Sequence, residues 1–419
     1  MTDDILQLME QRRVAKDQSQ DRYDQLNAEI KRRCQEEKEK WINEECERIE
    51  NSWKTNSKEV TRSIRRITGK TACSVSGCLK AKDGTILMEK DAILARWSEY
   101  IQDLFEDERG DKPSIRSEET GPEILQTEVT HAMRRMKKNK APGPDKIVME
   151  MIQATEDVGI REVTCIANAV YSTGDIPEEL LRSVFIALPK KPGAIECELH
   201  RTISLMSHIT KIILRVLIQR MRRKIRPELD ESQFGFVPGK GTVNATYIMR
   251  TLSERAIEKQ RNLYLCFIDY TKAFDRVRHT QLMEILNSIN VDKQDIRVVQ
   301  NLYWDQTATI RLENELGEWK SVKRGVRQGC VMSPDLFSLY SEVILRDLEG
   351  MPGIKVGGKN INNIRYADDT VLIATTEEDL QKLIDQVITT SEQYGLALNS
   401  KKTFTMTVSK STKAPSCDI

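Results

Sequence analysis

Several features that mark membrane-bound or secreted proteins are missing from this sequence. No uninterrupted apolar run reaches the about 18 residues that a membrane-spanning helix needs. The segment Met1–Glu10 contains two Asp and no basic stretch ahead of an apolar core, so it does not have the pattern of a secretory signal peptide. We therefore expect an intracellular protein with no membrane segment and no clear targeting signal.

Cysteine and net charge exclude further classes. None of the nine cysteines lies in a Cys-x-x-Cys pair, and only four histidines are available to complete a zinc site. We expect reduced thiols, as is usual inside cells. The 65 basic and 64 acidic residues nearly cancel to +1, so only the local distribution of charge can indicate a nucleic-acid partner.

The chain divides by composition. Residues 1–68 contain no Gly or Pro and are dense in Glu, Lys, Arg and Gln, which predicts a helical, coiled-coil-like arm that could self-associate. Glycines punctuate residues 69–130, which we interpret as a linker or boundary region with one helix at Asp91–Phe105. The motifs lie in residues 131–262 and 263–410, and residues 411–419 form a short tail.

Two adjacent acids stand between apolar runs in Ile364–Ile373. Strand-forming residues on both sides of Tyr366-Ala-Asp-Asp369 predict a β-hairpin with the acids at its turn. Such a pair suits phosphoryl transfer by two divalent cations, although a solvated turn is the alternative for this segment alone. A second apolar run ends in Asp269, which is a better candidate ligand than Asp275, since Asp275 would cap or start the next turn.

Basic residues are concentrated in two places. Residues 131–147 hold six Lys or Arg, among them Lys138 and Lys140, against one Asp. A phosphate-contacting surface and an ordinary surface helix both remain open for this patch. A helix beginning near Ser207 has an apolar core face, and no acid occurs between Arg201 and Pro227. This pattern favours nucleic-acid backbone contact over a solvated helix. The basic flank consists of Lys211, Arg215, Arg222 and Arg226.

Other elements are predicted from local signals. Val184–Pro189 and Leu396–Val408 are predicted strands, and Glu377–Tyr394 is a predicted helix. Ser333 is the predicted N-cap of a helix that runs to about Leu348, with Pro334 at its first position.

Six of these segments, in this order, resemble the reverse transcriptases of non-LTR (LINE-like) retrotransposons over about residues 131–410. The motifs are Lys140–Asp145, Arg201–Leu205, Phe267–Asp275, Arg327–Pro334, Tyr366–Asp369 and Asn399–Thr403. The resemblance implies an α+β right-hand polymerase, with fingers in residues 131–262 and a palm in residues 263–410, preceded by the α-helical arm. Thr202 departs from many relatives, which have Pro there.

The resemblance also implies roles for individual residues. Asp269 and Asp368 would ligate two Mg²⁺ ions, with Mn²⁺ as an alternative, and Asp369 would complete the acidic cluster. Lys190 and Arg201 would hold the incoming triphosphate. The remaining nucleotide-site residues would be Phe274 as the gate that selects deoxynucleotides, Gln328 and Gly329 along the nascent base pair, and Lys402 near the pyrophosphate.

The implied function is RNA-directed DNA polymerisation with an RNA template, a DNA primer or target, and dNTPs, in the nucleus and cytoplasm. The resemblance further leads us to expect that the family's endonuclease and thumb are absent from this chain. The alternative is a catalytically inactive or domesticated remnant that still binds nucleic acid. Intact Asp269, Asp368, Asp369, Lys190 and Arg201 favour the enzyme.

Overall fold

A computed structural model describes residues 3–16, 19–53, 57–69, 77–115 and 121–411 of the chain. The chain forms two compact units, residues 1–74 and residues 75–419. The described part of the first unit is three helices, α1 (Asp3–Ala15), α2 (Gln20–Ser52) and α3 (Ser57–Thr68). The helical character predicted for residues 1–68 is therefore confirmed, whereas residues 412–419 of the predicted tail lie outside the described residues.

A buried carboxylate ties α2 to α3. The Glu45 side chain is 1% exposed, and its Oε1 lies 2.6 Å from Arg48 and 2.9 Å from Arg66 of α3. A buried charge is tolerated only when it is paired. Arg48 lies on α2 with Glu45, and the bond to Arg66 links α2 to α3. Self-association through these helices stays a prediction.

The second unit mixes helices and strands. Its helices are α4 (Lys90–Phe105), α5 (Gln126–Arg134), α6 (Met149–Ala154), α7 (Glu156–Thr173), α8 (Glu178–Leu181), α9 (His208–Ile225), α10 (Thr242–Glu258), α11 (Ala273–Arg276), α12 (His279–Ser288), α13 (Lys293–Asp305), α14 (Ser333–Arg346) and α15 (Glu377–Gln393). Its strands are β1 (Leu79–Lys80), β2 (Ile86–Leu87), β3 (Arg182–Pro189), β4 (His200–Leu205), β5 (Leu263–Ile268), β6 (Thr307–Leu312), β7 (Glu315–Leu316), β8 (Lys320–Ser321), β9 (Ile354–Val356), β10 (Lys359–Ile361), β11 (Asn363–Tyr366), β12 (Asp369–Ala374) and β13 (Phe404–Val408).

The sheet that carries the acidic motifs has the strand order β11-β12-β5-β13, and all of its neighbours are antiparallel. Side chains alternate between its faces. Cys266 and Ile268 of β5 and Leu372 of β12 belong to the large core that α12, α14 and α15 also line. Leu265 and Ile373 point the other way, into a smaller core with α10. Helices thus anchor both faces and leave the strand ends near Asp269 and Asp369 accessible.

A second sheet has the order β4-β3-β6-β7, and β8 also pairs with β6. Strand β3 lies antiparallel to β4 and parallel to β6. Trp97, Ile101 and Phe105 of α4 share one core with Phe185 and Ile310 of this sheet. Hence α4, although it lies in the stretch interpreted as a linker, is packed against the sheet.

Two sequence-based boundaries need correction. The N-cap of α14 is Met332, while Ser333 is already helical and its hydroxyl donates to the Arg327 carbonyl at 2.8 Å. Pro334 therefore takes the second helical position. The strand predicted for Leu396–Val408 is confined to Phe404–Val408, because a turn held by amide bonds to the Asn399 carbonyl precedes it.

The helix predictions near the site are confirmed. Helix α9 begins after Ser207, whose hydroxyl accepts from the Ile209 amide at 3.1 Å, and it buries the apolar face that its spacing predicts. Helix α15 occupies the predicted stretch. The free thiols include Cys34, Cys46, Cys165, Cys197 and Cys330. In those same ranges, no helix has both the length and the apolar character needed to cross a bilayer.

Candidate active site

The acidic pair lies at the tip of a hairpin, as the sequence predicts. Tyr366 of β11 pairs with Asp369 of β12, so Ala367 and Asp368 form a two-residue turn. Ala367 has a φ of +59°, in the left-handed region that tight hairpin turns of this kind use. Asp368 therefore projects from the turn itself, while Asp369 opens strand β12.

Asp269 reaches the same end of the sheet from the neighbouring strand. Ile268 is the last residue of β5, and it pairs with Thr370. One further step along this antiparallel register brings Asp269 level with Asp369. The Asp269 backbone carbonyl also accepts from the Asn399 amide at 2.7 Å, which holds the strand end in place.

The three carboxylates influence one another electrostatically. The pKa of Asp368 is raised first by burial and then by the negative charges of Asp369 and Asp269. The pKa of Asp369 is likewise raised by burial and then by Asp269. Carboxylates that repel each other in a partly desolvated place are a common property of sites that receive a cation.

The chemistry of these acids fits a divalent ion of the Mg²⁺ type. Across the described ranges, no three His, Cys, Asp or Glu side chains converge closely enough to hold a metal ion on their own. Mg²⁺ does not need such a cage, because it usually binds one or two carboxylates and completes its shell with water and substrate phosphates. Asp269 and Asp368 supply oxygen ligands whose mutual repulsion a cation would relieve. Their metal roles stay predictions.

Lys402 balances part of this negative charge. Its Nζ lies 3.5 Å from Oδ2 of Asp269, and the Asn399 side-chain amide donates to the same oxygen at 3.1 Å. Lys402 is mostly exposed, so the ion pair is weak and can exchange partners. The sequence identifies the motif that contains Asn399, but it does not predict this contact with Asp269.

Two further cations lie on the sheet β4-β3-β6-β7 or directly after one of its strands. Lys190 follows β3, and Arg201 lies on β4 opposite Leu188. The pKa of Lys190 is lowered by partial burial and then by the positive charges of Lys402 and Arg201. Nζ of Lys190 donates to the Glu198 carbonyl at 3.0 Å. Lys190, Arg201 and Lys402 therefore form one positive neighbourhood next to the acids.

Asp275 has a different position from the one predicted. Lys272 is the N-cap of α11, and Asp275 is buried within the helix with its pKa raised to about 6 by burial. Its two carboxylate oxygens accept from Nε2 of Gln328 at 3.0 and 3.2 Å. Gln328 is thus held by a buried acid that sequence reasoning treated as a turn residue.

Gly329 allows the loop after β8 to lie close to β4. Its φ is +107°, and a Cβ at this position would come within 2.9 Å of the Ser204 carbonyl oxygen. The Ser204 amide also donates to the Gln328 carbonyl at 2.8 Å. Together with the Asp275 contact, these bonds connect the loop to β4 and to α11.

Phe274 is held in an aromatic cluster near Asp269. Its ring stacks on Phe337 with centroids 4.3 Å apart and an interplanar angle of 15°. Phe236 meets it edge to face at 6.4 Å. The half-buried ring therefore has a fixed orientation, which a steric gate for a sugar requires.

The basic flank of α9 is partly neutralised. Nε and Nη2 of Arg222 bond the two carboxylate oxygens of Asp335 on α14 at 2.9 and 2.8 Å. The prediction of an uncompensated flank is therefore wrong at Arg222, because its partner lies 113 residues away. Burial lowers the pKa of Lys211 and of Arg215, and for Arg215 the nearby charges of Arg222 and Arg135 lower it further.

The flank also lines a cavity. Between α5 and α9 a cavity of about 250 Å³ is bordered by Arg135, Arg215 and Arg222. Within the described residues, Nε of Arg215 is buried without a hydrogen-bond partner. Lys138, Lys140 and Arg226 are exposed.

Comparison with known proteins places these features in context. Residues 188–417 match the family model described as reverse transcriptase (RNA-dependent DNA polymerase). The Pol polyprotein of the type-2 retrotransposable element R2DM of Drosophila melanogaster is 31% identical over 65% of this chain and 25% of its own length. The uncharacterized 149 kDa protein of transposon TX1 of Xenopus laevis is 28% identical over 73% of this chain and 24% of its own length.

The Pol polyprotein of element R2 of Nasonia vitripennis is 26% identical over 66% of this chain. The chain spans about a quarter of the length of these curated relatives. Among solved structures, an apo telomerase from Candida Tropicalis aligns with a TM-score of 0.44 and 17% identity, over 57% of this chain and 52% of that chain.

Proposed function

Because the chain belongs to the reverse transcriptase (RNA-dependent DNA polymerase) family, we propose that it catalyses RNA-directed DNA synthesis at the end of the sheet β11-β12-β5-β13. The fold is the α+β right-hand polymerase type, with a helical N-terminal region. The observation that carries the proposal is the grouping of Asp269, Asp368 and Asp369 beside the cations Lys190 and Lys402. Opposite charges of this kind suit the transfer of a nucleotide from a triphosphate.

Asp269 and Asp368 are the proposed ligands for two Mg²⁺ ions, with Mn²⁺ as an alternative and Asp369 completing the cluster. When bound, such ions would stabilise the attacking and leaving oxygens of the phosphoryl transfer. The protein itself positions the primer 3′-hydroxyl and the nucleotide α-phosphate in line, which accounts for much of the rate in such reactions. Asn399 and Lys402 keep the Asp269 carboxylate oriented until a nucleotide arrives.

Lys190, Arg201 and Lys402 are the proposed triphosphate contacts. A lysine offers a compact charge, and an arginine offers a fork of donors that matches phosphate oxygens. Lys402 can leave its exposed pair with Asp269 and turn to the pyrophosphate as it departs. The mutual proximity of Lys190, Arg201 and Lys402 is electrostatically unfavourable in the free chain, and an anionic ligand would remove this repulsion.

Phe274, Gln328 and Gly329 are proposed to shape the nucleotide site. The stacking of Phe274 on Phe337 makes the ring rigid, so it can exclude a ribose 2′-hydroxyl by contact. The Asp275 carboxylate orients the Gln328 side chain, and Gly329 lets backbone approach the nascent base pair.

The nucleic-acid surface is proposed to consist of Lys138, Lys140, Lys211, Arg215, Arg222 and Arg226. The exposure of Lys138, Lys140 and Arg226 supports backbone contact, and so does the position of Arg215 at the border of the cavity. The paired Arg222 supports it less, because Asp335 already uses its donors.

We further propose a retrotransposon RNA as template and a chromosomal DNA end as primer. The similarity to Pol polyproteins of retrotransposable elements supports this proposal. Action on such partners would place the protein in the cytoplasm and the nucleus.

Primer extension on an RNA template with Mg²⁺ and dNTPs tests the proposal. We expect extension by the wild-type chain, and no extension by Asp269→Asn or Asp368→Asn at an unchanged melting temperature. Asp157→Asn, an exposed substitution on α7, is the matched control. Retained synthesis in either site variant would contradict the metal roles. Nucleic-acid binding without synthesis by the wild type would instead support the inactive-remnant alternative.

A further inference from the structure

The segment Ser232–Gly235 lies directly beside β11, the strand that leads into the acidic turn. The Arg365 amide donates to the Ser232 carbonyl at 2.9 Å, and the Phe234 amide donates to the Arg365 carbonyl at 2.8 Å. Gln233 and Arg365 form a parallel β-bridge. The segment therefore extends the sheet at its β11 edge, although it belongs to a loop with no evident function in the sequence.

Gln233 reaches the acidic turn with its side chain. It is 0% exposed, and its Oε1 accepts from the Gly235 amide at 2.7 Å and from the Ala367 amide at 3.1 Å. Two N–H donors converge on this atom, so it has to be the oxygen of the amide group. Ala367 is the residue with left-handed backbone between Tyr366 and Asp368. Such a conformation persists only where its surroundings hold it.

The backbone of the segment also packs on the turn. A Cβ at Gly235 would lie 2.3 Å from the Ala367 nitrogen, so no larger residue fits without a shift. On the other side, the buried Arg365 guanidinium bonds the Ser232 hydroxyl at 2.8 Å and the Glu342 carboxylate at 3.2 Å. The turn, the segment and α14 are therefore fastened to one another.

We propose that Gln233 is a positioning residue for the acidic turn: its side-chain oxygen holds the Ala367 amide and so orients the carboxylates of Asp368 and Asp369. The catalytic consequence rests on the proposed polymerase function, whereas the geometric effect does not. Ligand groups have to be held within about 0.5 Å of their productive geometry. Loss of a supporting hydrogen bond of this kind typically lowers metal affinity or activity by about 10- to 100-fold.

Two substitutions distinguish the role of the Gln233 hydrogen-bond acceptor from the role of its side-chain volume. Gln233→Leu removes the acceptor, whereas Gln233→Glu keeps it, because burial favours the neutral carboxyl, whose carbonyl oxygen still accepts. The glutamate replaces only Nε2, an atom without a hydrogen-bond partner within the described residues. Gln300→Leu is the matched control, since Gln300 is 1% exposed on α13 and donates to the Pro113 carbonyl, away from the acidic turn.

Two measurements test the positioning role without requiring catalysis. One is amide hydrogen exchange of residues 366–369. The other is Mn²⁺ binding, monitored by the electron paramagnetic resonance signal of the free ion. We expect Gln233→Leu to speed exchange at Ala367 by about tenfold, the change that loss of one buried hydrogen bond produces. Mn²⁺ binding should weaken by about 10- to 100-fold. Gln233→Glu should stay within a few-fold of wild type in both measurements, and Gln300→Leu should change neither.

Slow exchange and tight Mn²⁺ binding in Gln233→Leu would overturn the proposal, and so would equal losses in Gln233→Leu and Gln233→Glu. If the leucine variant does not fold, Gly235→Ala takes its place and should weaken Mn²⁺ binding by pressing on the turn; unchanged binding there would also overturn the proposal. A wild-type chain that fails to extend primers would contradict the proposed function alone, because exchange and Mn²⁺ binding would still decide the role of Gln233.

Discussion

Asp275→Asn should stabilise the protein at neutral pH. The Asp275 carboxyl is buried, and burial raises its pKa to about 6 from an ordinary value of 3.8. Each pKa unit corresponds to about 1.4 kcal/mol, so ionised Asp275 costs the folded state about 3 kcal/mol at pH 8. Asparagine is isosteric and carries no charge, and its Oδ1 can still accept from Gln328.

The sign of the pH dependence follows from the raised pKa. Between about pH 4 and pH 6 the folded protein holds a proton on Asp275 that the unfolded chain has released. The free energy of unfolding of the wild type, relative to that of the variant, should therefore be greatest below about pH 4. Between about pH 4 and about pH 6 it should fall by about 1.4 kcal/mol per pH unit, and above that range it should level off. Subtracting the two unfolding curves cancels the other titrating groups.

Urea unfolding of the wild type and of Asp275→Asn at several pH values between 4 and 8 measures this difference. Asp157→Asn, at an exposed position on α7, is the control. A variant less stable than the wild type at pH 8, or a difference that does not depend on pH, would refute the reasoning. Either result would mean that Lys272 and Gln328 compensate the buried charge fully.

Three further predictions follow from the site and its surroundings. Phe274→Val should admit ribonucleotides in primer extension by removing a clash; unchanged discrimination would place the gate elsewhere. Arg215→Gln should weaken nucleic-acid binding and lower its salt dependence, whereas Arg222→Gln should have the smaller effect on binding, as a salt titration would measure. Arg365→Met should lower the free energy of unfolding by about 3–5 kcal/mol by leaving Glu342 buried and unpaired. Pairing it with Glu342→Met should recover most of this loss in urea unfolding, and a double variant as unstable as the single one would contradict the explanation.

Local patterns were enough to predict the elements that carry the acids. The hairpin around Asp368 and the strand that ends just before Asp269 follow from apolar runs and turn chemistry, which act over a few residues. The apolar face of α9 follows equally from helical spacing. These features depend on neighbours in sequence, and therefore they can be read without tertiary information.

Contacts between distant segments were not predictable in the same way. Asp335 neutralises Arg222 from another helix, and Gln328 donates to Asp275 from another loop. Gln233 lies in a loop whose glycines and proline indicate only a turn. No local feature of the sequence shows that its side-chain oxygen accepts from the Ala367 amide. The N-cap of α14 is predicted at the wrong residue for the same reason. The Ser333 hydroxyl donates to the Arg327 carbonyl in the preceding loop and does not cap the amides at the start of the helix.

The bonds around Gln328 bear on how the two larger sheets can move relative to each other. Its carbonyl is bonded to β4 and its side chain to α11, while the neighbouring Arg327 is buried and donates to Gln306 and to the Leu181 carbonyl. A rigid rotation of the sheet β4-β3-β6-β7 over the sheet β11-β12-β5-β13 would break several of these bonds at once. Motion near the acids should therefore be a local bending of connections such as Lys190–Leu199, with the two sheets keeping their relative positions.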